Sequence, residues 1–216
     1  MKDLFAEILH SIGQTVLIPT LVILVALIIV ALIEIGDILA EEFRERRNYE
    51  KNVRGLIMKI QNTDNSQGAE KIWEYIEESA LLARQKKAIR EVLDSLKTGT
   101  SKESVLALAS RILSFEEAHY DKQISITNLV AKLGPMFGLL GTLIPLGPGI
   151  IALGKGDTET LASSIGIAFD TTIAGLLAAS VAIVISGLRK RWYNDYMDTL
   201  ETLLVCIIEE VCRDDR

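Results

Sequence analysis

The sequence predicts an all-α membrane protein, with three transmembrane helices extended by a cytoplasmic helical bundle. Three observations predict it. Apolar runs at 16–33 and in the two halves of 129–188 are each long enough to cross a bilayer, since roughly 20 residues at about 1.5 Å rise cover a core of about 30 Å. The composition, 49% hydrophobic yet 24% charged, is too apolar for a typical soluble domain and too charged to lie wholly in lipid, so charged blocks must alternate with spans. Small residues recur at helical spacing in the two later runs, at Gly134, Gly138 and Gly141 and at Thr171, Gly175, Ala179 and Ala182. Such faces let another helix approach closely.

The elements follow in order. Residues 1–14 form an outer-side amphipathic N-terminus through Leu4, Phe5, Ile8, Leu9 and Ile12. Residues 15–36 are the first transmembrane helix, with Pro19 and Thr20 near its beginning, where neighbouring helices can satisfy freed backbone groups. A cleaved signal peptide is disfavoured, because the basic n-region and the small-x-small cleavage site are missing. Glu34 and Asp37 follow its aliphatic run, 16–33, and then come Arg44, Arg46, Arg47, Lys51 and Arg54, which mark this end as cytoplasmic and the N-terminus as outside.

Residues 37–125 are a cytoplasmic helical region. Leu39, Phe43, Val53, Leu56, Ile57 and Ile60 share one side of a helix, and Asn62 to Gly68 is a polar break. Ile72, Trp73, Ile76, Ala80, Leu81, Val92 and Leu93 then predict a second helix through Leu96, ended by Thr98-Gly99. Thr100 with Glu103 is a capping box for a third, bearing Val105, Leu108, Ile112, Phe115 and His119.

Residues 126–153 form the second span, with Lys132 snorkelling to the cytoplasmic interface and Pro145 and Pro148 expected to end or kink it early. Residues 154–160 are an outer-side turn, whose single Lys155 contrasts with Arg189-Lys190-Arg191 after the third span, 161–188. Asp157 or Thr158 can cap the third helix, with Glu159 opposing the macrodipole. Residues 189–216 are a cytoplasmic C-terminal helix whose stripe, Trp192, Tyr196, Leu200, Leu203, Leu204, Ile207, Ile208 and Val211, seeks the bundle.

Several chemistries are disfavoured. A net charge of −6 without a basic, aromatic-laced patch argues against nucleic acid. Cys206 and Cys212 point about 240° apart on one helix and read as packing residues. His119 has no second ligand three or four residues away, so no metal site is expected. Gly149 to Lys155 fits the start of a phosphate-binding loop, but Gly156 stands where a hydroxyl must bind magnesium and no strand precedes it. Gly154-x-Gly156-Asp157 echoes an intramembrane aspartate motif, yet Asp170 lies roughly 20 Å along the same helix, too far to share a site. No enzyme and no cofactor are expected.

Asp170 stands out, since a carboxylate at the centre of a span costs on the order of 3 kcal/mol and should face other helices or water. Counted along the two helices, Thr142 lies about 20 Å from Leu129 and Asp170 about 13 Å from Leu161, so the two share a depth. Thr142, Asp170, Thr171 and Thr172 are therefore the expected ion pathway, the alternative being a structural role, with Asp170 bonded to hydroxyls of a neighbouring helix and the threonines at tight helix contacts; Gly134, Gly138, Gly141, Gly175, Ala179 and Ala182 are the expected helix-packing residues.

Two stretches carry a family resemblance. Gly134-Pro135-Met136-Phe137-Gly138-Leu139-Leu140-Gly141-Thr142 resembles the A-P-x-x-G-L-x-G-T stretch of the MotA/TolQ/ExbB proton-channel proteins, and Ala168 to Leu176 is similar to their A-L-x-T-T-x-x-G-L stretch. With three spans and a large first cytoplasmic loop, the likeness covers most of the chain. It implies a homopentameric ring in the inner or plasma membrane, with the second and third spans lining a pore around a single-span subunit of the ExbD, TolR or MotB type. Thr142 and Thr172 fall on the family's pore-lining threonines. Two residues depart from its ExbB and TolQ members: Pro145 replaces a small residue and Asp170 an apolar one. The function implied is an ion-channel or stator subunit that couples ion-motive force to movement of the partner; one charge crossing 100 mV releases about 2.3 kcal/mol. The alternative is a non-conducting scaffold or transporter subunit.

Overall fold

The computed structural model describes residues 2–42, 53, 55–60, 68–98 and 101–212. The expectations for Phe43, for the basic cluster Arg44 to Arg54, for the break at 61–67 and for the Thr100 capping box lie outside these residues, as do the side chains of residues 1–10. Among the described residues the chain is helical with no strand: α1 Lys2–Glu41, α2 Gly68–Glu78, α3 Ala83–Lys97, α4 Lys102–Gly154 and α5 Thr158–Cys212. Three of these, α1, α4 and α5, are long and apolar enough to cross a membrane. The chain divides into two compact units, one of residues 1–37 and 124–188, the other of residues 38–123 and 189–216.

In the first unit α4 and α5 form an antiparallel hairpin. Its turn is set by Gly156, at φ 77°, the left-handed conformation that a helix C-terminus commonly uses. The Asp157 N–H reaches the Ala152 carbonyl and the Gly156 N–H the Leu153 carbonyl, both at 3.0 Å, the paired bonds that close a helix end. Asp157 then caps α5, its carboxylate accepting from the Thr160 N–H at 3.1 Å and the Thr160 hydroxyl at 2.6 Å. Those bonds hold the Asp157 carboxyl below its ordinary range.

Of the early end or kink expected at Pro145 and Pro148, the early end does not occur. Helix α4 continues to Gly154. Each proline removes one helical N–H, but beyond both of them Gly149 packs on Ser164, where an added Cβ would lie 2.9 Å from the serine Cβ. Contact with α5 thus holds the last turns of α4 in place.

Helix α1 joins through Leu27 and Ala31, which cluster with Val130, Ala178 and Ala182 and with Leu133, Phe137 and Val181 around them. Pro19 lies inside α1, and the adjacent Thr20, fully buried, returns its hydroxyl to the Val16 carbonyl at 2.8 Å.

The second unit has a different interior. Ile60, Ile72, Ile76, Ile89, Val92, Leu203 and Ile207 have no exposed surface, and Leu200, Leu204 and Ile208 almost none. Residues 71–96 form two helices, where the pattern predicts one. Ser79 stops α2 by turning its hydroxyl onto the Ile76 carbonyl at 2.5 Å, and the Leu81 N–H then bonds Ser79 Oγ at 3.4 Å. Gln85 starts α3, its Oε1 accepting from the Leu82 N–H at 3.2 Å while its Nε2 donates to the Tyr196 carbonyl at 2.9 Å. Ser101 caps α4, accepting from the Ser104 N–H at 3.4 Å.

Candidate functional site

The site is built on the glycine contact line of the hairpin. A Cβ added at Gly134 would sit 2.6 Å from the Gly175 carbonyl oxygen, and one at Gly141 would sit 2.6 Å from the Thr171 Cβ. A Cβ at Gly175 would strike the Gly134 carbonyl oxygen. The backbones are therefore in direct contact, which only glycine allows at these positions. The pairs Gly134 with Ala179, Gly138 with Gly175, Gly141 with Thr171 and Gly149 with Ser164 fix one antiparallel register. In that register Thr142 is level with Asp170, Thr171 and Thr172.

Level is only half of a position; angle is the other half. Thr142 follows Gly141 by one residue, and Thr172 follows Thr171 by one. Because the helices are antiparallel, steps in the same rotational sense from the contact line fall on the same flank of the hairpin. Thr142 and Thr172 thus share a flank, and a Cβ at Gly138 would lie 3.6 Å from the Thr172 Cα. Thr171 lies on the line itself, 5% exposed and packed against Gly141. Asp170 precedes Thr171 and is about 200° from Thr172, so the structure does not bring it together with Thr142 and Thr172. It is exposed on the other side of α5, beside Phe169 and Ile173. Leu133, Phe137 and Val181, which precede Gly134, Gly138 and Ala182, belong to the α1 cluster, so α1 covers the flank opposite the threonines.

All three threonine hydroxyls donate back to their own helices. Thr142 bonds the Leu139 carbonyl at 2.7 Å, Thr171 the Ile167 and Ala168 carbonyls at 2.9 and 3.0 Å, and Thr172 the Ala168 carbonyl at 3.1 Å. With the protons committed, the oxygen lone pairs of Thr142 and Thr172 remain as acceptors on the open flank. Such lone pairs can accept hydrogen bonds from water.

Nearer the other end of the hairpin the structure shows polar contacts that the sequence reading missed. Thr127, fully buried, donates to Glu34 Oε2 at 3.1 Å, tying α4 to α1, and Ser186 donates to Asn128 Oδ1 at 2.6 Å, tying α5 to α4. The signal available was polar residues within predicted spans, with Glu34 inside 15–36 rather than beyond it. In the second unit His119 accepts from the Gln123 amide at 3.3 Å, and Gln123 Oε1 accepts from the Tyr193 hydroxyl at 2.6 Å. No cluster able to hold a metal occurs among the described residues.

Fold and site together define a class: a three-span helical membrane protein whose last two spans form a glycine-locked hairpin with threonine acceptors on one flank. Residues 77–202 match the MotA/TolQ/ExbB proton channel family, and the chain belongs to that family. It is thus a multi-pass inner-membrane protein of a family of channel and transducer subunits, not an enzyme. A Vibrio cholerae protein (serotype O1, strain ATCC 39315 / El Tor Inaba N16961) named biopolymer transport protein exbB1 is 33% identical over 98 residues, which is 41% of each chain. The chain thus matches about two fifths of that relative's length.

Proposed function

We propose that this chain is the ring-forming subunit of an ion-driven membrane complex, in which copies turn the threonine flank of the α4–α5 hairpin toward a central pore. The observation that carries the reading is the pairing of Thr142 and Thr172 at one level on one open flank, in a chain of the proton-channel family. A ring repeats that pair as a belt of acceptor oxygens in an apolar bore, able to receive hydrogen bonds from water or hydronium. A homopentamer around a single-span subunit of the ExbD, TolR or MotB type is the assembly this belt suits, with ion descent driving movement of that subunit. The test is proton flux into liposomes containing this chain and its cognate single-span subunit. Thr142→Val and Thr172→Val each remove one hydroxyl at nearly constant volume, and each should lower flux at least tenfold with assembly intact. Unchanged flux in both would sink the pathway, and a ring without any flux would favour a scaffold.

In this reading the N-terminus and the turn 154–160 face outward, because positive charge follows the first and third spans. A membrane-impermeant maleimide added to intact cells should then label Asp157→Cys and spare Glu117→Cys in a background free of other cysteines. Labelling at position 117 alone would invert the topology.

A further inference from the structure

The hydrogen bond between Ser186 and Asn128 joins the two legs of the hairpin at the end away from the turn. Each of the two residues stands as the pathway threonines stand, one step past a buried residue. Asn128 follows the fully buried Thr127 and Ser186 follows Ile185, 4% exposed, as Thr142 follows Gly141 and Thr172 follows Thr171. The step is the same, so the flank is the same. Side chains that meet at 2.6 Å across the hairpin must in any case share a flank. Both legs also give one separation: Asn128 lies fourteen residues before Thr142 and Ser186 fourteen after Thr172, about 21 Å along either helix. The second pair therefore sits below the first, toward the cytoplasmic end in the topology proposed above.

We propose that Asn128 and Ser186 form the inner end of the ion pathway, the station at which a proton passes between the bore and cytoplasmic water. The proposal rests on the pore reading above and adds a second polar belt to it. Chemistry distinguishes the two belts. The threonine hydroxyls have given their protons to their own helices and offer acceptors alone, whereas Asn128 keeps both amide N–H groups and a second Oδ1 lone pair after accepting from Ser186. Asn128 is exposed and Ser186 half-buried, so water can reach both. A group that donates and accepts can hold bridging water in a hydrogen-bonded row, along which a proton passes.

Between the belts the flank is apolar. Pro135 and Leu139 on α4, and Leu176 and Ile183 on α5, each follow a buried glycine or alanine by one residue, and all four are exposed. A ring closes them into a sleeve. An apolar constriction sheds water, so a bore built this way is interrupted in the sleeve until something wets it. Polar belts at both ends of a dry sleeve give the ion a place to wait on either side. Lys132 is outside this arrangement: two residues past the buried Val130, it is about 200° round α4 from it, on the side away from α5.

The test is proton flux into liposomes containing the full chain and its cognate single-span subunit, with Cys206 and Cys212 replaced by serine. Ser186→Cys, Asn128→Cys and, as control, Gly187→Cys are each treated on both faces with a methanethiosulfonate carrying either a quaternary ammonium or a sulfonate. Gly187 shares the depth of Ser186 but stands about 100° farther round α5, with open space at its Cβ position. At positions 128 and 186 the attached cation should lower flux about tenfold relative to the untreated variant, and the sulfonate should leave it within about twofold, because a fixed positive charge in the bore repels the ion. At position 187 neither reagent should change flux. A bond that merely ties the two legs together has no reason to respond to the sign of the charge. If Thr142→Val and Thr172→Val lower flux but treatment at 128 and 186 acts equally with either sign, acts as it does at 187, or does nothing, this proposal is wrong and the pathway survives. A wild type without flux would overturn both.

Discussion

The two units solve the same packing problem with opposite side chains. In the hairpin unit the helices meet through glycine, alanine and threonine, with backbone against backbone, while Leu139, Leu143, Ile173 and Leu177 point outward. In the other unit isoleucine and leucine fill the interior, and Arg84, Lys87 and Glu91 face out. The difference follows from the solvent. Lipid is as apolar as leucine, so burying leucine there gains little, and helices associate through close contact and hydrogen bonds instead. Water rewards apolar burial at roughly 25 cal/mol per Å². An inside-out pattern in one unit and an outside-in pattern in the other, within a single chain, is how the sequence assigns each to its medium.

That contrast can be broken by one substitution in each unit. Gly175→Leu should have the larger effect, because even its Cβ would strike the Gly134 carbonyl, a backbone atom that cannot swing aside. The hairpin should open, seen as rapid proteolysis within 124–188 of the detergent-solubilised protein. Ile207→Ala, at a site with no exposed surface, should instead cost about 2–5 kcal/mol of the second unit's stability by leaving a cavity. Gly166→Ala is the control: the same residue type in the same span, but with open space around its Cβ, it should be tolerated. Equal damage from Gly175→Leu and Gly166→Ala would mean that helix flexibility, not close approach, is what these glycines supply.

Much of this was legible in the sequence. Three spans, the glycine line and the shared depth of Thr142 and Asp170 all follow from rise per residue and small-residue spacing. Depth alone, however, groups Asp170 with the threonines, whereas about 100° per residue sets it on the other side of α5. The rotation was available in the sequence; which rotation mattered was not, until the contact of Gly141 with Thr171 fixed the reference line. The break of α2 from α3 was hidden for another reason. A serine that folds back on its own helix and a glutamine that bonds a cap N–H leave the apolar period unchanged across the break. Likewise Gln85 reaches Tyr196, and Thr127 reaches Glu34, across sequence gaps that no local pattern spans.

The smallest expected effect concerns the turn, where the hairpin unit meets water and neither kind of burial operates. Asp157 is fully exposed, and the two bonds from Thr160, the hydroxyl first and then the N–H, lower its pKa from an ordinary value of 3.8. A depressed carboxylate pKa contributes stability that is present above the unfolded value and is lost as pH falls through the folded one. The first turn of α5 should therefore hold unchanged from neutral pH down to about 4, where an unperturbed aspartate titrates, and fray only below that. Protection of the Thr160 amide against hydrogen exchange, corrected for intrinsic rate, should report this directly. The core around Ile207 does not depend on the Asp157 carboxylate, so its amides serve as the reference against which loss at Thr160 is read. Asp157→Asn keeps an acceptor but removes the charge, so its Thr160 amide should be less protected at neutral pH and insensitive to acid. Loss of protection in wild type near pH 6, or none at pH 2, would show that the Asp157 carboxylate does not hold this turn.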